Sequence, residues 1–277
     1  MAILLALVAA LGYGSSDFCA GLLSRRYAAE PVSGLVILVE VLTTIVGVLL
    51  FAGHGPRPGA LEWGAVSGLG GGVGTLALYR GLAAGNMAVT ATLSAVIAAV
   101  VPALVGIALG NHLSTGAAVG IAVALPAIAL VSWQPSSGRG SRSGALYGLL
   151  AGCGFALLFI AVDRAGTKSG AWPLLPGQTV ALLVVCPGAI RGLRRGARFA
   201  TRDLALAVFS GVIVGVAALL YLAATGHGEL SIVAVVTSLY PAFTVLLARV
   251  ILSERWSRRQ AIGLLVAAAS VVLVSVG

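Results

Sequence analysis

Ten stretches of about twenty mostly apolar residues follow one another along the chain, near residues 2–23, 32–52, 62–83, 86–108, 115–133, 144–164, 171–190, 203–223, 229–251 and 260–276. A helix needs about 20 such residues to cross the hydrocarbon of a bilayer. In lipid every backbone N–H and C=O must be satisfied within the protein, so stretches of this length read as transmembrane helices. With 59% hydrophobic and 9% charged residues, the chain also lacks the polar surface to coat a soluble globule. The expected fold is an all-α membrane protein of ten transmembrane helices.

The net charge of +9 would suggest a nucleic-acid partner if the basic residues were clustered. They are instead distributed between spans. Fourteen, from Arg25 and Arg26 to Arg258 and Arg259, follow odd-numbered spans, and only Arg57, Arg164 and Lys168 follow even-numbered ones. That bias places the odd loops in the cytoplasm and both termini outside, with the bilayer as partner and no nucleic acid. Met1–Gly12 has no basic residue ahead of it and reads as part of a mature helix rather than a signal peptide.

The same helical hairpin occurs twice. Gly228–Ser275 laid on Gly85–Ser132, a shift of 143 residues, brings Ser257 onto Ser114, Gly263 onto Gly120, Leu247 onto Leu104 and Val274 onto Val131. The polar run from Gln134 divides the chain into residues 1–133, a linker at 134–143 and residues 144–277. Each half has five spans. Five is odd, so the second half must enter the membrane in the opposite sense, and the expected architecture is two inverted five-helix repeats.

Glycines spaced by four, at Gly64, Gly68 and Gly72, at Gly144, Gly148 and Gly152, at Gly211 and Gly215, and at Gly116 and Gly120, suit close helix packing. The run Ser67–Thr75 is so rich in glycine, at about 1 kcal/mol each, that a bend is expected there. Pro102, Pro126, Pro176, Pro187 and Pro241 each remove a helix hydrogen bond and are expected to kink their spans.

Leu239-Tyr240-Pro241, an apolar run, Ser253-Glu254-Arg255, then Gln260 and Gly263 resemble the end of an EamA-type half in the drug/metabolite transporter superfamily. Gly12-Tyr13-Gly14 with Phe18, and Gly152-Cys153-Gly154 with Phe155, resemble the opening of such halves. The first copy departs from the pattern. Asn111-His112 stand where it has Glu-Arg, and Pro102 falls one turn later than the register of Pro241. The resemblance implies a transporter whose cavity is built from the first, third, fourth, sixth, eighth and ninth helices, with the second at the periphery.

Asp17 lies well inside the first span and Glu40 near the middle of the second. An ionised carboxylate at mid-membrane costs about 2.5–3.5 kcal/mol on insertion scales, so such a residue faces a cavity or a partner. Two readings stand for each: a group that exchanges protons or binds substrate as access alternates, or a structural acid bonded to freed backbone groups. Tyr13 and Ser16 accompany Asp17 on the first helix. Thr75 and Tyr79, Thr90 and Ser94, Tyr221, and Thr237 and Tyr240 supply similar polar positions on the third, fourth, eighth and ninth.

No H-E-x-x-H, G-x-S-x-G or phosphate-binding loop occurs, and His54, His112 and His227 sit at different loops, so neither a metal site nor an enzyme is expected. Cys19, Cys153 and Cys186 read as buried thiols, and no cofactor is implied. The expected function is secondary transport, outward, of a small metabolite or amphiphile by a monomer or homodimer, with proton coupling through Asp17 as one reading. A passive facilitator of the same fold is the alternative, and a polytopic membrane enzyme the rival from another class. Sixteen arginines to one lysine suggest a GC-rich bacterial genome and a plasma-membrane location.

Overall fold

A computed structural model describes the chain except for Arg25, residues 84–86, His112, residues 133–140, residues 253–256 and Gly277. The polar linker up to residue 140 and the Ser253–Trp256 part of the last basic turn therefore lie outside the described residues. The rest is helical: α1 (Ala2–Ser24), α2 (Ala29–Leu50), α3 (Pro58–Ala83), α4 (Met87–Ala108), α5 (Thr115–Ser132), α6 (Ser141–Ala165), α7 (Leu174–Arg194), α8 (Thr201–Thr225), α9 (Leu230–Thr237), α10 (Tyr240–Leu252) and α11 (Arg258–Val276). Among the described residues six stretches are long and apolar enough to cross a membrane, namely α1, α2, Ser143–Ala165, α7, α8 and Leu230–Leu252, with two shorter apolar helices at Leu93–Ala108 and Thr115–Val131. The molecule is an all-α membrane protein.

The glycine-rich third span stays one helix, α3 running unbroken from Pro58 to Ala83. Its glycines are taken up by packing on two sides: a methyl group added at Gly72 would stand 2.9 Å from Val184 Cβ on α7, and one at Gly74 would stand 2.8 Å from the Phe155 ring on α6. Close backbone approach offsets the entropy that glycine costs a helix.

The ninth span, by contrast, is two helices. Pro241 has no N–H to offer the Thr237 carbonyl. The chain tightens at Ser238 and Leu239, where the Leu239 N–H bonds the Val236 carbonyl at 3.2 Å. It restarts as α10 at Tyr240.

Helices α1 and α8 pack together, as do α3 and α6; α2 lies against α7 and α8, α3 also against α7, α4 against α6 and α9, and α5 against α11. Ser114 caps α5 by accepting the Ala117 N–H at 3.0 Å. Ser257 and Gln260 form a reciprocal capping pair at α11: the Ser257 Oγ accepts the Gln260 N–H at 3.2 Å and the Gln260 Oε1 accepts the Ser257 N–H at 3.0 Å.

Loops clasp the bundle at both ends. At one end the Arg26 guanidinium donates to both oxygens of Asp203 at 3.1 and 3.2 Å, the Tyr27 hydroxyl donates to Asp203 at 2.9 Å, and the Ala200 N–H donates to the Tyr27 oxygen at 3.1 Å. Arg80, at the end of α3, donates to Glu30 at 2.9 Å. At the other end the Ala171 N–H bonds the Phe51 carbonyl at 2.8 Å and the His54 N–H bonds the Lys168 carbonyl at 3.1 Å.

Candidate functional site

Between the two halves lies a cavity whose empty space, mouth included, is about 900 Å³. From the first half α1 contributes Tyr13, Ser16 and Asp17, α2 contributes Val36, Ile37 and Glu40, and α3 contributes Ser67, Gly71, Thr75 and Tyr79. From the second half come Phe155, Leu158, Phe159 and Val162 of α6, Gln178 of α7, Tyr221 of α8 and Tyr240 of α10. The break at Ser238 and Leu239 is what sets Tyr240 at the start of a helix, where the chain passes close to α1. Gly14 allows that approach: a methyl group there would stand 2.8 Å from Phe243 Cβ, and the Thr244 hydroxyl donates to the Gly14 carbonyl at 3.0 Å.

The rings are packed against one another. Tyr13 meets Phe159 edge-on with centroids 6.3 Å apart, and Phe159 meets Tyr221 at 4.7 Å. Tyr221 is fully buried and its hydroxyl donates to the Phe159 carbonyl at 3.2 Å. Ser16 is held by Ser210 of α8, with the two hydroxyl oxygens 2.7 Å apart, and Ser67 bonds the Gly64 carbonyl at 2.6 Å. Tyr79 lies within electrostatic reach of both Asp17 and Glu40, Tyr13 within reach of Glu40, and Tyr240 within reach of Asp17. Neither carboxylate has a salt-bridge partner among the described residues.

Thus Tyr13, Ser16, Asp17, Glu40, Thr75, Tyr79, Tyr221 and Tyr240 share one cavity wall, whereas Thr90, Ser94 and Thr237 are fully buried and do not line it, Ser94 standing behind Tyr240. The reason lies in the seam between α4 and α6. Gly148 and Gly152 of α6 sit on Thr90 and on the Ser94 carbonyl, and the Thr90 hydroxyl donates to the Gly144 carbonyl at 3.1 Å. That turns the Thr90 side chain into the seam. Thr237 ends α9 with no partner for its hydroxyl among the described residues.

The helices that form the wall also differ from those the resemblance implied. Here α2 and α7 contribute, and no described residue of α4 does. Sequence reading missed Gln178, Phe155 and Phe159 as wall residues; a lone amide in the otherwise apolar start of α7 was the available signal.

Fold and wall together define a polytopic α-helical membrane protein with an acidic, aromatic cavity between its two halves. Residues 142–276 match the EamA-like transporter family. A crystal structure of a protein is similar over 99% of this chain and 96% of its own, with a TM-score of 0.77 at 17% sequence identity, a likeness of fold. No curated protein matches the sequence.

Proposed function

We propose that the protein is a secondary transporter of ten spans, built as two inverted five-helix repeats, that exports a small metabolite or amphiphile across the plasma membrane by proton exchange at Asp17. The observation that carries the reading is the position of Asp17 in a cavity walled by both halves, because transporters of inverted-repeat design hold substrate at the repeat interface and rock one half against the other.

Two-fold relations support the repeat. Shifting α1 to α5 by 143 gives 145–167, 172–193, 201–226, 230–251 and 258–275, each within a few residues of α6, α7, α8, α9 with α10, and α11. A methyl group at Gly120 would stand 2.9 Å from the Val274 nitrogen, and one at Gly263 would stand 2.7 Å from the Val131 nitrogen. Since 120 + 143 = 263 and 131 + 143 = 274, the α5–α11 seam is a self-complementary contact of the kind a two-fold axis generates. Gly12 on Ala217 and Gly74 on Phe155 are related in the same way, as 12 + 143 = 155 and 74 + 143 = 217. The two loop clasps exchange under the same swap, α1–α2 with α7–α8 becoming α6–α7 with α2–α3.

Flux of amino acids, nucleosides and lipophilic cations into proteoliposomes, with and without an imposed pH gradient over about pH 5.5–8.5, tests the function; this range brackets the mid-pH window in which a cavity carboxyl can serve as a proton carrier. Asp17→Asn keeps the shape and removes the titrating proton, so uphill accumulation should vanish while downhill movement persists. Undiminished uphill transport by this variant would remove Asp17 from the coupling step. Orientation is read from engineered cysteines at the exposed positions Ala200 and Lys168. In intact cells an impermeant thiol reagent should label the second and spare the first, and the opposite pattern would invert the topology.

A further inference from the structure

A ligand entering the cavity meets two carboxyl groups, aromatic faces and nothing positive among the described residues. Asp17 and Glu40 present carboxylates from two different helices, and no Lys, Arg or His stands in the wall among the described residues. Glu40 and Gln178 are each 8% exposed and line the cavity, and Glu40 has no salt-bridge partner among the described residues. A carboxylate taken from water without a compensating partner is costly, so each of the two carboxyl groups is neutralised either by a proton or by a cationic ligand that displaces it.

Four tyrosines, Tyr13, Tyr79, Tyr221 and Tyr240, and two phenylalanines, Phe155 and Phe159, surround this charge. A cation over an aromatic face gains about 0.5–2 kcal/mol, the upper figure applying where water is excluded. An anionic ligand would face two carboxylates with no counter-charge in the wall. A neutral one would leave both unpaired. The remaining surface, from Val36, Ile37, Leu158 and Val162, is apolar and suits a hydrocarbon body.

We propose that the cavity takes an organic cation with an apolar or aromatic body, its charge held between Asp17 and Glu40 and its body among the rings. Glu40 is then a second binding carboxylate, on a helix that the family resemblance placed at the periphery. The Gln178 amide is placed to bond a polar substituent of the ligand. The inference rests on the transporter reading only in taking this cavity for the substrate site, and binding can be measured without transport.

Three probes of one shape separate the charge states: phenyltrimethylammonium, its neutral isostere tert-butylbenzene, and benzenesulfonate. Titration calorimetry on the purified full chain in detergent should show saturable one-to-one binding of the ammonium, and none of the other two at about tenfold higher concentration, the equivalent of 1.4 kcal/mol. Asp17→Asn and Glu40→Gln should each weaken ammonium binding by at least about tenfold. Glu30→Gln, which removes a carboxylate paired outside the cavity, should leave it unchanged. Should Asp17→Asn fail to fold, as judged by its melting profile, Glu40→Gln and Tyr240→Leu carry the test, the latter expected to weaken binding about threefold or more.

Equal affinity for the three probes, or ammonium binding indifferent to both Asp17→Asn and Glu40→Gln, would overturn the inference. Specific cation binding without flux in proteoliposomes would keep it and sink the transporter reading. Proton-driven flux of a neutral or anionic solute without cation binding would do the reverse.

Discussion

α4 and the α9–α10 pair occupy stretches 143 residues apart, each carries a proline, and each runs against α6 or α1 of the opposite half, yet one packs and the other lines the cavity. In α4, Pro102 lies in the interior of a helix that continues unbroken to Ala108, and the glycines of α6 press against Thr90 and Ser94. In α9–α10, Pro241 stands at the start of a new helix, and the interruption just before it delivers Tyr240 to the cavity. A proline's missing N–H costs one hydrogen bond in either place. Position relative to a helix start decides whether the loss is absorbed or used to turn the chain. Repetition of a hairpin therefore does not repeat its role, and the cavity takes a tyrosine from the second half without a counterpart from α4.

The largest expected effect falls on the contact that the interruption makes possible. Gly14→Val should wedge α1 away from Tyr240 and Phe243, lowering stability by about 3 kcal/mol and abolishing transport. Thermal melting and flux on the same preparation check both, and a variant with native melting would show that α1 and α10 do not approach as described. Next comes the proline itself. Pro241→Ala should let α9 and α10 join and draw Tyr240 out of the wall, lowering flux by about tenfold, or roughly 1.4 kcal/mol, whereas Pro102→Ala should stay within about twofold. Equal losses from the two would erase the contrast between the hairpins.

The α5–α11 seam sharpens the comparison from the opposite side, because there the two halves behave alike. Gly120→Ala and Gly263→Ala should each cost about 1 kcal/mol, matched to within about 0.5, since each methyl meets the same backbone position of the other helix. Unequal costs would break the two-fold relation proposed for that seam. The smallest effect concerns two threonines. Thr90→Val should lose about 1 kcal/mol with its bond to the Gly144 carbonyl, while Thr237→Val, whose hydroxyl has no partner among the described residues, should be nearly neutral. Chemical denaturation in mixed micelles resolves that difference.

Much of this was legible along the chain. The helices follow the apolar stretches to within a few residues, the Ser114 and Ser257 matches proved to be helix caps, and most of the glycines spaced by four, Gly64, Gly68 and Gly72 among them, lie in helix seams. The break in the ninth span was visible as a proline but not as a position, because Pro102, Pro126 and Pro187 sit inside helices that continue through them. The continuity of α3 was hidden too. Its glycine content predicts weakness when the helix is considered alone, and the close approach of α6 and α7 on two sides compensates.

What the sequence determined by itself is whatever depends on distance along the chain: the lengths of the spans, their caps and the period of the small residues. Which face of each helix meets the cavity was decided only by the tertiary structure. In a soluble protein the polar stripe of a helix marks the outside and the apolar stripe the core. Lipid removes that signal, since hydrocarbon outside and side chains inside are equally apolar and nothing in a run of Leu, Val and Ala distinguishes them. Glu40 and Gln178 reach the cavity because α2 and α7 pack on each other across the halves, a pairing between residues far apart in the sequence that no local pattern records.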